Sequence, residues 1–293
     1  MTLAHAGRLP NLAEVFAGLF PPHYRKRLVL MFRSFLDASE DGAGRCVTVA
    51  GFVGSVSGWC HVQDKWQGIR ARLGVPYFHM VDFMAKEPRA PYDELTREER
   101  IALMVEHGKL VGSSLMFGVS TSLNLRDYYA LSESDQALFD NNPRGYCIAQ
   151  CMAQVSNLLK HQWDIDESVL YVVEVGGRGE NAVVDSTMRI FIEAEGVRDT
   201  LRVFSVLPGT KKQFPGLDTA DILAWLANQH SLKHREGEPP QPRSPYLNMI
   251  ELDCESSYLY GDHLLAVRDT LRAVKPSSLT LFGRLAARRQ GQG

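Results

Sequence analysis

The 293-residue chain is short of most features that settle a protein's class at a glance. Net charge is almost nil, because 32 Lys and Arg face 34 Asp and Glu to leave −2. Such a chain has no global field that draws in nucleic acid, so a nucleic-acid partner must meet a local patch or a bound metal. Cysteine is sparse: Cys46, Cys60, Cys147, Cys151 and Cys254 are odd in number and scattered. That set argues against a disulfide framework and for a reducing compartment. No stretch reaches the roughly 18–20 uninterrupted apolar residues of a membrane-spanning helix. The apolar segment NLAEVFAGLF at 11–20 lacks a basic leader and a long apolar region, so no signal peptide is read and the expected location is the cytoplasm, without a membrane partner. No internal repeat or low-complexity domain is present. What remains, 45% hydrophobic and 23% charged residues, is the balance of a globular protein with ample chain for a core.

Hydrophobic periodicity organises the chain into strands and helices. Residues 28–37 (LVLMFRSFLD) and 46–54 (CVTVAGFVG) read as strands joined by a turn around Gly42 and Gly44, hence a hairpin. Residues 57–73 read as a helix capped by Ser57, with Trp59, Val62, Trp66, Ile69 and Leu73 on one face. Residues 96–112 open with a capping box of Thr96 and Glu99. Strands are expected at 115–123, 168–175 and 201–206. Helices are expected at 11–20, 181–195, 217–234 and 261–273 and over most of 125–165. Residues 236–245 form a Pro-rich loop, and the tail after 284 is expected to fray. Strands alternating with helices after an initial hairpin predict a three-layer α/β protein with a mixed central sheet. The organisation expected is an N-terminal helical extension at 1–27, an α/β domain at 28–235 and a C-terminal helical extension with a flexible tail at 236–293.

Acidic residues fall at the ends of these elements. Asp37 closes the first strand, Glu174 ends the strongest later strand, and Asp218 and Asp221 open the long helix three residues apart. Functional groups of open α/β sheets gather at strand carboxyl ends and adjoining helix starts. Carboxylates meeting there repel one another unless a cation neutralises them. Hard oxygen donors favour magnesium or manganese, and two such ions about 3.5–4 Å apart can clamp a phosphodiester. A plainer reading makes Asp218 a helix cap and Asp37 part of a polar turn with Ser39 to Gly42.

Five blocks resemble the bacterial family called domain of unknown function 3800 (DUF3800): FLDASEDG at 35–42, VAGFVGSVSGWCHVQDKW at 49–66, PYFHMVDF at 76–83, YVVEVGGRGE at 171–180 and LDTADILAW at 217–225. Their order and separation agree with the family over about residues 28–235. The resemblance implies a ribonuclease-H-like fold, a carboxylate cluster of Asp37, Glu174 and Asp221, Ser39 as the motif serine, His79 beside the cleft, and nuclease activity. Two positions depart from the family pattern. Its Glu after the first Asp is Ala38 here, and its Gln in the closing motif is Asp218.

The resulting expectation is a divalent-metal-dependent nuclease or phosphodiesterase. Asp37, Glu174 and Asp221 hold magnesium or manganese, with Asp218 accessory. His79 assists proton transfer, oriented by Asp82, and Lys211 and Lys212 contact nucleic-acid phosphate. Ala38 motivates the alternative, an inactive ribonuclease-H-like binding module; a partner-binding accessory protein is a further alternative that no residue singles out. Weaker signals carry plainer readings: GGRG at 176–179 as a strand-to-helix turn rather than a phosphate cradle, His230 and His234 as a solvated face rather than a zinc pair, Cys147 and Cys151 as buried apolar residues, and Trp59 and Trp66 as core rather than a base-stacking platform.

Overall fold

A computed structural model of the chain describes residues 32–88, 90–175, 201–235 and 252–273. Strands β1 (Phe32–Glu40) and β2 (Cys46–Ser55) form the expected antiparallel hairpin. Asp41 organises its turn. One carboxylate oxygen accepts the backbone N–H groups of Arg45 and Cys46 at 2.6 and 2.9 Å, and the other accepts Arg45 Nε at 2.9 Å. Helix α1 (Val56–Leu73) follows. Its cap is Ser55 rather than Ser57: Ser55 Oγ accepts the Gly58 N–H at 3.1 Å, which satisfies one of the free donors of the first turn. Trp59, Val62, Trp66 and Ile69 are buried on the predicted face, so both tryptophans belong to the core.

A short helix α2 (Met80–Phe83) precedes α3 (Arg97–Ser114), whose Thr96–Glu99 capping box is formed as expected. Strand β3 (Phe117–Asn124) leads into residues 125–165. That region is less continuously helical than its composition suggests, and divides into α4 (Leu125–Tyr129), α5 (Glu133–Gln136) and α6 (Pro143–His161). Two breaks explain the division. Ser132 and Asn142 each start a new helix by accepting a backbone N–H, and Asp140 and Asn141 adopt left-handed backbone between them.

Strands β4 (Val169–Glu174) and β5 (Val203–Gly209), helix α7 (Gly216–Arg235), strand β6 (Asp253–Leu259) and helix α8 (Gly261–Ala273) complete the described elements. Sequence periodicity does not reveal β6, because its residues DCESSYL form a polar, half-exposed edge strand. It lies in the segment expected to be a helical extension, yet pairs with β3. The expected helices at 11–20 and 181–195, the GGRG turn, the Pro-rich loop and the tail after 284 lie outside the described residues.

The sheet order is β5-β4-β1-β2-β3-β6. The pairs β1–β2 and β2–β3 are antiparallel, whereas β1–β4, β4–β5 and β3–β6 are parallel. Side chains alternate between the two faces of a strand, and each face builds its own core. Leu36, Val49, Val119 and Tyr171 pack with Cys147, Cys151 and Val155 of α6 on one side. Phe35, Ala50, Phe52 and Val172 pack with Trp59, Trp66, Leu217, Ala220 and Leu223 on the other, under α1, α3 and α7. The architecture is the expected three-layer α/β one, with a six-stranded mixed sheet between helices. Among the described residues, no helix is long and apolar enough to cross a membrane.

Candidate functional site

The period of two along β1 and β4 sets the site. Phe35 of β1 and Val172 of β4 belong to the α7-side core, so Asp37 and Glu174, each two residues further on, face the same way. The parallel β1–β4 register reaches Leu36 opposite Val173. One step beyond, Asp37 and Glu174 stand side by side. Helix α7 crosses above them, and its second turn contributes Asp221. Close packing holds the helix there: a Cβ at Gly216, its first residue, would lie 2.8 Å from the Phe35 ring.

These three carboxylates converge on one cation supplied by the chain itself. Lys211 Nζ, from the turn between β5 and α7, lies 3.0 Å from Asp37 Oδ2, 3.2 Å from Glu174 Oε2 and 3.3 Å from Asp221 Oδ1. The Lys211 side chain is 5% exposed. This corrects its expected place at the surface: Lys211 is held by carboxylates rather than open to phosphate. Lys212 beside it is exposed. Backbone N–H groups complete the cluster. Ala38 donates to Asp37 Oδ1 and Met80 donates to Asp221 Oδ2, each at 2.6 Å.

Crowding of like charges in a buried space raises carboxyl pKa values. Burial, reinforced by the hydrogen bond and charge of Asp37, pushes Glu174 up to about 9 against the opposing pull of Lys211. Burial and the Asp37 charge push Asp221 up to about 6, against Lys211, His79 and the Met80 N–H. Burial alone would lower Lys211, but Asp37, Asp221 and Glu174 outweigh it and hold the ammonium protonated above its ordinary range.

The other expected residues are distributed around this centre. His79 precedes α2, with its side chain 41% exposed and Nδ1 3.6 Å from Asp82 Oδ2. It is close enough for its charge to favour ionised Asp221. Asp82 is 67% exposed. Ser39 is buried one alternation beyond Asp37, and its backbone carbonyl accepts Asn228 Nδ2 at 3.2 Å. Asp218 turns towards α1 instead of the Lys211 cluster. Its Oδ2 accepts Trp66 Nε1 at 3.0 Å and pairs with Arg70 at 3.2 Å. Burial pushes Asp218 up to about 7, against the stabilising charge of Arg70 and the Trp66 N–H. The expected accessory ligand is therefore an anchor that fixes the start of α7 on α1.

Ala38 bears on the cluster less than its sequence position suggests. It packs against the α6-side core, so a glutamate there would point away from Asp37 and Glu174. Sequence reasoning also missed Asn228, whose Nδ2 reaches Ser39 O, Cys46 O and Thr48 Oγ1, and His107, whose Nε2 lies 3.1 Å from Thr219 Oγ1 in full burial. Asn228 sits seven residues after Asp221, on the same helix face, which is the only signal that marks it. Cys147 and Cys151 are fully buried, as expected, and Cys151 Sγ hydrogen-bonds to Val49 O and Thr121 Oγ1. The His230 ring packs on Tyr258, centroids 5.6 Å apart, and the His234 side chain lies outside the described residues.

Among the described residues, no group of three or more His, Cys, Asp or Glu is arranged to hold a metal ion. The point where Asp37, Glu174 and Asp221 converge is taken by the Lys211 ammonium. No family model matches the chain, and no curated protein matches it.

Proposed function

We propose that the chain is a DUF3800-like, ribonuclease-H-like phosphodiesterase that takes magnesium or manganese at the Asp37, Glu174 and Asp221 carboxylates and cleaves nucleic acid. One observation carries this reading: three carboxylates from β1, β4 and α7 converge on a single cation. The donor set is hard oxygen, which suits magnesium or manganese. Metal–oxygen contacts near 2.1 Å are shorter than the ammonium contacts, so Lys211 must withdraw for the ion to enter. The bound ion would polarise a phosphoryl oxygen and lower the pKa of its water. His79, half-exposed and near enough to Asp221 to act on its charge, would be the group that exchanges a proton with solvent or substrate. Lys211, once displaced from the carboxylates, is a cation beside the reacting phosphate.

Lys211 also favours a second reading, a binding module in which the ammonium neutralises the cluster permanently and no metal enters. Calorimetric titration with manganese separates the two. The enzyme reading expects binding in the native protein and its loss in Asp37→Asn. It also expects manganese-dependent cleavage of single-stranded, double-stranded or hybrid substrates that Asp37→Asn abolishes. No heat of binding at millimolar manganese, or equal cleavage by native protein and variant, would overturn it.

A further inference from the structure

We propose that Tyr77 and Lys212 form a docking lip for single-stranded polynucleotide at the mouth of the carboxylate cluster. This inference rests on the phosphodiesterase reading and names its substrate class. Lys212 Nζ lies 5.6 Å from the centre of the Tyr77 ring. Tyr77 is 38% exposed and Lys212 is exposed. Both are tied to the cluster through neighbours. Lys212 follows Lys211, which sits among the three acids. Tyr77 lies three residues before Met80, whose N–H holds Asp221. At about 3.3–3.6 Å per residue, neither is more than about 11 Å of chain from a cluster group.

The platform is firmly mounted. Phe78, the next residue, is buried, packs edge-on against Trp66 with ring centroids 5.2 Å apart and lies tilted against Phe83 at 4.8 Å. Its burial fixes the backbone that turns Tyr77 outward. The Lys212 ammonium lies over one face of the Tyr77 ring, so a base would stack on the opposite face while the charge meets the adjoining phosphate. An isolated tyrosine reaches a base face only where that base is unpaired, because duplex bases already stack on one another.

The test is fluorescence anisotropy with labelled oligothymidylate and oligouridylate and a duplex of the same length, in calcium without cleavage and again in EDTA. Native protein is expected to bind the single strands more tightly than the duplex. Tyr77→Ala should weaken single-strand binding about five- to hundredfold, while Tyr77→Phe retains it. Lys212→Ala should weaken all strands alike and lower the salt slope by about 1. Thermal unfolding of each variant checks that the fold is intact. Duplex preference, or Tyr77→Ala binding equal to native, would overturn the proposal. Manganese calorimetry distinguishes the two failures. If metal binds but Tyr77 does not matter, the lip alone falls. If no metal binds but single-strand affinity still depends on Tyr77, the lip survives as a binding site and the phosphodiesterase reading falls.

Discussion

Replacing Lys211 by methionine keeps most of the side-chain volume and removes the cation that, among the described residues, contacts Asp37, Glu174 and Asp221 together. Loss of one partner from a buried ion pair costs about 3–5 kcal/mol, because the remaining charge is stranded. At roughly 2–4 °C per kcal/mol, Tm should fall by about 6–20 °C at pH 8. The deficit must depend on pH in a set direction. Glu174 rises from 4.5 to about 9 and Asp221 from 3.8 to about 6 on folding, so the folded chain holds protons that the unfolded chain has released. Their contribution is full below the unfolded values and is lost as pH rises through the folded ones. Lys211 opposes both upward shifts, so its removal moves them higher and makes the loss with pH steeper. Differential scanning calorimetry should therefore show a small Tm difference between variant and native at pH 5 and a large one at pH 8. Equal deficits at both would mean that Lys211 acts through packing alone. Ligand binding at 100 times Kd adds about 2.7 kcal/mol of stability. With the ammonium gone, millimolar manganese should raise Tm of the variant more than that of native protein. A variant whose Tm manganese leaves unmoved would refute the claim that this is a cation site.

Two further substitutions test the geometry around the cluster. Ala38→Glu places a carboxylate on the α6 side of β1, so manganese affinity by calorimetry should stay within about twofold of native; a tenfold gain would show that residue 38 reaches the cluster. Gly51→Ala, in β2 opposite Leu36, puts a Cβ onto the Phe35 carbonyl oxygen two residues before Asp37. Because the clash is with backbone, a loss of about 3 kcal/mol or more in urea unfolding is expected, and a loss under about 1 kcal/mol would refute the close approach.

The fold was legible where apolar spacing was strong. The stripe of Trp59, Val62, Trp66 and Ile69, the Thr96–Glu99 box and the run at 168–175 each carry their own local physics, and tertiary contacts only reinforced them. It was illegible where tertiary contacts decide. Strand β6 has no apolar run because one edge needs no second neighbour, and its pairing with β3 appears only in three dimensions. The breaks at Ser132 and Asn142 carry local signals that the apolar composition of 125–165 masks: Ser and Asn favour caps over helix interiors, and Pro143 follows Asn142 at the first helical position.

The candidate site shows the same division more sharply. Spacing left Asp37, Glu174 and Asp221 open between a shared site and separate caps and turns, and only the family resemblance grouped them; in the fold β1 runs three residues past Asp37, and strand alternation turns Asp37 and Glu174 to the face that α7 covers. The sequence also supplied the right electrostatic premise, that such a cluster requires a cation. It could not say where the cation comes from, because Lys211 and Lys212 are chemically identical neighbours. Only the path of the turn between β5 and α7 sends one ammonium inward at 3.0 Å from Asp37 and leaves the other outside near Tyr77. Asp218 illustrates the converse. It has the spacing of a fourth ligand, yet Trp66 and Arg70 of α1 already satisfy the carboxylate oxygen that they reach. Repulsion among carboxylates therefore predicts neutralisation, while the neutralising group is chosen by which side chains the tertiary fold brings within about 3 Å. That choice makes metal entry a competition with Lys211 rather than the filling of an empty site.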